Sequence, residues 1–291
     1  MLRASGKVLR ELLKKPGIIM APGVYDGISA RVAEQAGFPV LYLSGAGTSV
    51  SRIGEADIGL TTMTEIVNQA HAITTNAAVP AICDADTGYG NALNTIRTVH
   101  ELELAGVAAI QLEDQIAPKR CGHLSGKSCV TAEEFAQKIK AAAHEKFFPE
   151  TVIIARTDAR AVYSLEEAID RGKRYMDAGA DVLFIEAPRT IEEVSVIGRS
   201  LGNQIPLLAN QVMGGVTPRI TARELEQMGY KIVIFPDTLP FAASVLLRRI
   251  CDQMRAEGCS WDTIPGATHS RDLFTTMGME RWREKEQLYK E

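Results

Sequence analysis

Cysteine is scarce in this chain and is not arranged in pairs. Only five of the 291 residues are cysteine, and none belongs to a C-x-x-C pair. The odd number and the spacing argue against a disulfide framework or a zinc ribbon. A reducing compartment follows from this pattern, so we predict a cytoplasmic location.

An excess of one charge and long apolar runs are also lacking. The 32 basic and 36 acidic residues leave a net charge of −4, which provides no basic field for nucleic acid or an anionic membrane. No apolar run approaches the roughly 18 residues that span a bilayer. Residues 2–15 have no continuous apolar core of the signal-peptide kind. Val8, Leu9, Leu12 and Leu13 recur at helical spacing, which predicts a short amphipathic helix instead.

Short apolar runs alternate with helical patterns along the chain. The runs cover residues 17–21, 40–44, 80–84, 108–112, 152–156, 182–186, 206–210 and 232–235. The helical patterns cover residues 26–37, 64–75, 92–105, 131–146, 164–178, 190–201, 221–228 and 239–257. Continuous rather than alternating apolar runs are typical of parallel strands buried on both faces.

Eight such β-α units predict an α/β fold of the (β/α)8 TIM-barrel type. An open doubly wound sheet is the alternative, but it would usually have fewer strands, and no G-x-G-x-x-G follows the first run. We predict one domain over residues 1–291, with a helical tail from about residue 260. The tail's Leu273, Phe274, Met277 and Trp282 are expected to pack on another surface, for instance a partner subunit.

Acidic residues cluster where the predicted strands end, which is where barrel enzymes place their chemistry. Asp84 and Asp86 end the third run, two residues apart and therefore on one side of a strand. Glu113 ends the fourth run, and Asp57 lies in the loop after the second. Clustered oxygen ligands favour Mg²⁺, Mn²⁺ or Ca²⁺ over zinc. The alternative is that individual acids cap helices or pair with Lys and Arg.

Anion-binding groups are expected opposite these acids. The small residues Ser44-Gly-Ala-Gly-Thr48 follow the second run and could cradle a carboxylate with their N–H groups, or form a plain turn. Arg156, Glu186 and Asn210 end the fifth, sixth and seventh runs. This composition suits a small polycarboxylate rather than a large apolar ligand.

The segment Pro118–Lys127 contains a cysteine among basic residues. Cys121 is flanked by Lys119, Arg120 and His123. Nearby cations favour the thiolate and lower the pKa of a thiol, so we predict a reactive cysteine. The alternative is a solvated basic turn in which the cysteine is incidental.

Taken in order, these motifs resemble the isocitrate lyase and phosphoenolpyruvate mutase superfamily over about residues 5–285. The matching segments are residues 21–26, 44–47, 84–90, 112–114, 118–123, 155–158 and 186–188. The cysteine in the loop favours the lyase branch. The resemblance implies a Mg²⁺-dependent carbon–carbon lyase that cleaves a 2-hydroxy di- or tricarboxylate by a retro-aldol-type step. The products would be pyruvate and succinate from 2-methylisocitrate, or pyruvate and propionate from 2,3-dimethylmalate. Met213 departs from the pattern, since many methylisocitrate lyases carry Glu there.

The resemblance also implies roles for individual residues. The expected catalytic residues are Cys121 as proton donor, Arg156, His123 and Lys119. The expected substrate-binding residues are Ser44, Gly45, Ala46, Gly122, Arg156, Glu186 and Asn210. The expected metal site is Asp86 as direct ligand, with Asp84, Asp57 and Glu113 acting through water. The implied cofactor is Mg²⁺, with Mn²⁺ as an alternative, and the implied assembly is a homotetramer, a dimer of dimers that exchanges its last helix.

Two other functions stay open at this point. An oxaloacetate decarboxylase or hydrolase would share the metal site and act on a 2-oxo dicarboxylate. A non-catalytic dicarboxylate binder belongs to a different class, but the complete set of acids and the Lys119–His123 motif argue against it.

Overall fold

The computed structural model describes residues 6–259, 266 and 269–290. They divide into two compact units, one extending to Thr238 and the other beginning at Leu239. None of the described helices combines the length and the apolar character needed to cross a bilayer.

The first unit is built on eight parallel strands. They are β1 Ile19–Val24, β2 Leu41–Leu43, β3 Ala81–Asp84, β4 Ala109–Glu113, β5 Val152–Thr157, β6 Val182–Ile185, β7 Leu207–Asn210 and β8 Ile232–Phe235. Each strand pairs with the next, and β1 pairs with β8 in parallel, with Ile19 opposite Ile232. The sheet is therefore a closed barrel, which confirms the predicted (β/α)8 fold and excludes the open doubly wound sheet.

Helices connect the strands. Those of the first unit are α1 Gly6–Lys14, α2 Gly27–Gln35, α3 Gly45–Thr48, α4 Met63–Thr74, α5 Ala92–Leu104, α6 Ala132–Glu145, α7 Ala159–Val162, α8 Leu165–Asp177, α9 Ile191–Leu201 and α10 Ala222–Gln227. The first turns of most of these helices are capped by polar side chains. Thr131 and Ser164, for example, accept hydrogen bonds from the backbone N–H groups of Glu134 and Glu167.

A glycine after the helix reverses the chain in four of these units. The positions are Gly37, Gly106, Gly179 and Gly229, all with φ between 89° and 105°. This left-handed conformation strains any residue with a Cβ, which explains the recurring Ala-Gly and Met-Gly pairs before the strands.

The predicted N-terminal amphipathic helix is α1, and it covers the end of the barrel opposite the predicted site. Leu9 is fully buried in a cluster with Ile19, Val182 and Ile232, which are the first residues of their strands. Val8 departs from the prediction, because 44% of its surface is exposed. Only part of the predicted apolar stripe therefore faces the core.

Two local features differ from the sequence-based prediction. The segment after β2 was predicted as a small-residue loop, but it forms α3, which continues into a π-helical turn at Ser49–Ile53. A further one-turn helix, α7, follows β5 directly. Both lie at the end of the barrel where the carboxyl ends of the strands meet.

Three more helices follow, α11 Thr238–Glu257, α12 Ser270–Thr276 and α13 Met279–Leu288, and all but the first residue of α11 belong to the second unit. None of the described residues in these helices is buried, and Phe274 and Trp282 expose more than half of their surface. The predicted start of the tail, about residue 260, lies outside the described residues. The assignment of one domain stays a prediction.

Candidate active site

Two aspartates meet at the carboxyl end of β3. Asp84 is the last residue of the strand, and Asp86 follows it in a turn with φ of +47°. The backbone N–H of Asp86 lies 3.3 Å from the Asp84 Oδ1. Both side chains are buried. The predicted convergence is present, but its predicted cause is wrong, because a left-handed turn and not strand periodicity brings Asp86 to Asp84. Such strained backbone is frequent at functional sites.

Lys119 places its ammonium group among the acids. Its Nζ lies 2.6 Å from the Asp57 Oδ1 and 2.7 Å from the Asp86 Oδ1. Burial nonetheless raises the pKa of Asp86 to about 6, with Lys119 opposing the shift and Asp84 adding to it. Burial also raises the pKa of Glu113 well above its ordinary value, against the charge of Arg156. One ammonium group does not neutralise this cluster.

A polar chain inside the barrel supports Asp84 from below. The Gln111 Nε2 donates to the Asp84 Oδ1 at 3.2 Å, and the Tyr42 hydroxyl donates to the Gln111 Oε1 at 3.2 Å. Both supporting side chains are buried. Sequence reasoning missed them, although a glutamine within the apolar run of β4 was the available signal, since a buried amide needs partners.

The predicted carboxylate cradle lies beside the acids. The Ser44 Oγ accepts a hydrogen bond from the Gly47 N–H at 3.0 Å and so caps α3. A Cβ placed on Gly45 would lie 2.8 Å from the Asp84 Oδ2. The backbone therefore approaches the carboxylates closely, and only glycine fits there. Ala46 follows as a partly buried residue.

Arg156, near the end of β5, is held in one orientation by Asp158. The Arg156 Nε lies 2.9 Å from the Asp158 Oδ2, and the Nη2 lies 3.1 Å from the Oδ1. The remaining Nη1 lies 3.3 Å from the Glu113 Oε2 and 3.8 Å from the Glu186 Oε2. The guanidinium group therefore contacts Asp158 on one side and lies near Glu113 and Glu186 on the other. Asp158 belongs to a motif noted in the sequence, but its part in the site was not foreseen.

Glu186, His123 and Asn210 form a second group. The His123 Nε2 lies 3.1 Å from the Glu186 Oε1, and the Asn210 Nδ2 donates to the Glu186 Oε2 at 3.1 Å. The His123 Nδ1 accepts from the Val216 N–H at 3.0 Å, so the ring proton resides on Nε2. Burial alone would raise the pKa of Glu186, but the charge of Arg156 and the hydrogen bond from His123 outweigh it and lower that pKa to about 2.

The cysteine loop lies against this second group. A Cβ placed on Gly122 would lie 2.5 Å from the Arg156 Nη2 and 2.8 Å from the Glu186 Cδ. The Cys121 N–H donates to the Asp57 carbonyl at 3.2 Å. The structure therefore brings Cys121, Gly122 and His123 to the predicted site, between Asp57, one of the predicted metal acids, and Arg156.

The predicted lowering of the Cys121 pKa is wrong. Burial raises the pKa of this thiol, and a backbone hydrogen bond involving His123 only partly opposes the shift. The neighbouring cations are engaged elsewhere: Lys119 contacts Asp57 and Asp86, and the Arg120 guanidinium donates to the Ser125 carbonyl at 3.2 Å. The cysteine is therefore a protonated thiol, suited to donating a proton rather than to attacking as a nucleophile.

Asp114 points away from the site, unlike its neighbour Glu113. Its Oδ2 accepts hydrogen bonds from Thr157, Tyr175 and Arg171 at 2.6, 2.8 and 3.0 Å. Its Oδ1 accepts the Asp158 N–H at 2.9 Å. Asp114 therefore anchors the backbone that carries the support of the arginine.

The four predicted metal acids offer only oxygen donors, as magnesium requires. Asp84, Asp86 and Glu113 are buried, and the Glu113 Oε1 has no hydrogen-bond partner among the described residues. Burial, opposed by Lys119 and Arg156, raises the pKa values of Asp86 and Glu113, so additional positive charge at this place would favour their ionised forms. These features fit a hard divalent cation. Over the described part of the chain, however, no three His, Cys, Asp or Glu side chains are placed to ligate one ion together.

Comparison with known proteins gives a consistent result. A profile of the family described as phosphoenolpyruvate phosphomutase matches residues 9–255. The 2,3-dimethylmalate lyase of Eubacterium barkeri is 43% identical over 97% of this chain and 96% of its own. The 2-methylisocitrate lyase of Aeropyrum pernix is 41% identical over 98% of this chain and 91% of its own. A solved structure of oxaloacetate acetylhydrolase with the inhibitor 3,3-difluorooxalacetate superposes with a TM-score of 0.93 at 38% identity, covering 97% of this chain and 96% of its own.

Proposed function

The chain belongs to the phosphoenolpyruvate phosphomutase family and is a carbon–carbon lyase of that superfamily, and we propose that it cleaves a 2-hydroxy di- or tricarboxylate to pyruvate and a second carboxylate. The observation that carries this proposal is the position of Cys121. Its loop packs on Arg156 through Gly122 and contacts the acids Asp57 and Asp86 through Lys119.

We propose that Mg²⁺, or Mn²⁺ in its place, is held directly by Asp86 and through water by Asp84, Asp57 and Glu113. Mg²⁺ commonly keeps several waters, so three direct carboxylate ligands are not required. When bound, the ion would act as a Lewis acid and a template for the 2-hydroxy acid end of the substrate. Lys119 would remain beside Asp57 and Asp86 and hold these two carboxylates in place.

The chain's own groups would bind the two ends of the substrate differently. The N–H groups of Gly45 and Ala46 and the hydroxyl of Ser44 would donate hydrogen bonds to the carboxylate next to the reacting hydroxyl, because this segment borders Asp84 and the Ser44 N–H already donates to the Val24 carbonyl. Arg156, held by Asp158, would place a fixed positive charge where negative charge develops during cleavage.

The far end of the substrate would meet the second group. Gly122, His123 and Asn210 would bind the second carboxylate, and Glu186 would orient the two side chains through its hydrogen bonds to them. Before substrate binds, the His123 Nε2–H faces the Glu186 Oε1, and it would turn to the carboxylate on binding because the Nδ1 already accepts from the Val216 N–H.

Cys121 would complete the reaction as the general acid. As the carbon–carbon bond breaks, the substrate hydroxyl loses its proton to water and its oxygen becomes the carbonyl of pyruvate. The electron pair of the broken bond stays on the departing fragment, which carries negative charge on carbon and needs a proton. The raised pKa of Cys121 keeps the thiol protonated at neutral pH, so it can supply that proton. A thiol also transfers a proton more readily than a serine hydroxyl would.

Hydrolysis of oxaloacetate is the second candidate. The superposition on oxaloacetate acetylhydrolase favours it, since that protein shares the fold at a TM-score of 0.93. The same acids and arginine would then act on a 2-oxo dicarboxylate, and oxalate and acetate would replace pyruvate as products.

A substrate panel distinguishes the two. The protein with Mg²⁺ is offered 2-methylisocitrate, 2,3-dimethylmalate, isocitrate and oxaloacetate in turn, and the products are identified by mass spectrometry. Pyruvate with succinate or propionate supports the lyase. Oxalate and acetate from oxaloacetate alone would support the hydrolase, and CO₂ and pyruvate from oxaloacetate would indicate a decarboxylase.

We also propose a homotetramer in which the second unit contacts a partner. The supporting observation is the exposed apolar surface of α11–α13, which includes Phe241, Leu247 and Trp282. Surface of this kind commonly marks an interface. Light scattering at micromolar concentration should give about four times the chain mass of 31.6 kDa. A mass of one chain would refute the proposal. The cytoplasmic location stays a prediction.

A further inference from the structure

Lys127, the last residue of the cysteine loop, has a buried ammonium group. Its Nζ lies 2.8 Å from the Asp158 Oδ1, and 2% and 0% of the two side chains are exposed. The same Nζ donates a short hydrogen bond to the Gly122 carbonyl. One lysine therefore ties the middle of the loop to the end of the barrel at β5.

Asp158 is also the carboxylate that holds Arg156. Its Oδ1 accepts from the Arg156 Nη2 at 3.1 Å as well as contacting Lys127, and its Oδ2 accepts from the Arg156 Nε at 2.9 Å. The Asp158 backbone is itself fixed, because its N–H donates to the buried Asp114. The loop lysine and the arginine thus share one rigidly placed partner.

The loop has a second lysine anchor at its other end. Lys119 contacts Asp57 and Asp86 on the metal side, whereas Lys127 contacts Asp158 on the arginine side. A buried ion pair usually adds little stability compared with apolar packing. Stability of the fold therefore does not explain why a lysine stands at position 127. The position of Lys127 between the cysteine loop and Asp158, the support of Arg156, gives an explanation.

We propose that Lys127 is a positioning residue that couples closure of the cysteine loop to the orientation of Arg156. Part of this inference rests on the proposed function, namely the role of Arg156 toward substrate. When Lys127 contacts Asp158, the loop carrying Cys121 is closed and the carboxylate is oriented for Arg156 in the same event. When the loop opens, Asp158 loses one of its two cations, and Arg156 loses the packing of Gly122.

Loop closure can be measured without any substrate. Leu124 exposes 49% of its surface within the loop and offers a chymotrypsin site. Breaking a buried ion pair on one side should raise the open population, so Lys127→Met should be cleaved after Leu124 roughly ten- to a hundredfold faster than the wild type. The Lys127→Arg variant should be cleaved at a rate closer to that of the wild type because the positive charge is kept.

The matched control is Lys146→Met. Lys146 donates to the Thr151 carbonyl at 2.8 Å and lies 3.9 Å from the Asp181 Oδ2, just before the start of β5 and hence at the other end of the barrel. The Lys146→Met variant removes a lysine that has similar partners, and it should be cleaved after Leu124 at the wild-type rate. Equal acceleration in both variants, or none in Lys127→Met, would overturn the proposed role in closure.

The coupling to Arg156 is tested by kinetics on the substrate that the panel identifies. Lys127→Met should lower kcat at least about tenfold, and Lys127→Arg should recover part of the loss. The double variant Lys127→Met/Asp158→Asn keeps the local charge balanced. Its kcat should be no lower than the kcat of the more impaired single variant. If the two defects multiply, the residues act independently and the coupling is refuted. Because the proteolysis needs no turnover, failure of the proposed reaction and failure of this inference can be told apart.

Discussion

Replacing the two neighbouring acids at the end of β4 should affect the free energy of unfolding in different ways. Glu113 faces the proposed metal site and lies 3.3 Å from the Arg156 Nη1. Asp114 faces the packing between β5 and α8, where its Oδ2 accepts from Arg171 at 3.0 Å and from Tyr175 at 2.8 Å. Asp114→Asn keeps the shape of the side chain but removes the charge. It also turns an amide N–H₂ toward groups that are themselves donors.

The loss of stability in Asp114→Asn can be estimated from the contacts of Asp114. Breaking a buried ion pair on one side typically costs about 3–5 kcal/mol, because the remaining charge is left unpaired in the interior. The Arg171 side chain is 5% exposed, and among the described residues its other ion-pair partner is Glu167, whose side chain is 41% exposed. We therefore expect Asp114→Asn to lower the free energy of unfolding by about 3–5 kcal/mol.

Glu113→Gln should behave differently in metal-free protein. The pKa of Glu113 is raised on folding, so the folded state holds this proton more tightly than the unfolded chain does. Above the unfolded pKa of about 4.3, the carboxyl group therefore opposes folding, increasingly so as the pH rises toward its folded pKa. At neutral pH in EDTA, the amide should leave the stability unchanged or raise it.

Urea unfolding followed by circular dichroism, with EDTA present, measures both effects side by side. The expected order of stability is Glu113→Gln at or above the wild type, with Asp114→Asn clearly below it. The reasoning fails if Asp114→Asn unfolds within about 1 kcal/mol of the wild type, or if Glu113→Gln is destabilised as strongly as Asp114→Asn.

Three further outcomes are expected. Mg²⁺ should raise the thermal midpoint of the wild type but not of Asp86→Ala, and EDTA should abolish turnover until Mg²⁺ or Mn²⁺ is returned; full activity in excess chelator would exclude the metal. Gly122→Ala should lower kcat/KM about a hundredfold while the circular dichroism spectrum stays unchanged, because the added Cβ would displace Arg156. Wild-type kinetics in this variant would contradict the close approach of Gly122 to Arg156. Iodoacetamide at pH 7 should alkylate Cys121 at least about tenfold more slowly than free cysteine, because burial raises its pKa, and an equal rate would show that the thiol is not held as described.

Much of the fold could be predicted because local pattern and global structure agree. The eight apolar runs became the eight strands, and the glycines before four of them adopt the left-handed backbone that ends each helix. The short helix α3 was missed because Gly45 and Gly47 carry weak helix propensity, and here a cap from Ser44 and tertiary packing outweigh it.

The chemistry of the site was less predictable because it depends on contacts distant in sequence. Lys119 adjoins the cysteine segment, yet its ammonium group contacts Asp57, 62 positions away, and therefore does not lower the pKa of Cys121. Residue order likewise shows Lys127 and Asp158 as two separate charges, and only the closed barrel places them 2.8 Å apart. Sequence patterns identify which groups reach the site, whereas folding decides which charges neutralise each other.

The most direct test compares product formation by the wild type, Asp86→Asn and Cys121→Ser on the best substrate of the panel, with Mg²⁺ present and folding checked by circular dichroism. The wild type should release pyruvate and the second carboxylate in equal amounts. Each variant should be slower by at least about a hundredfold, since one loses the proposed metal ligand and the other replaces the thiol with a much weaker acid. Cleavage by Cys121→Ser at the wild-type rate would contradict the assignment of Cys121 as the proton donor.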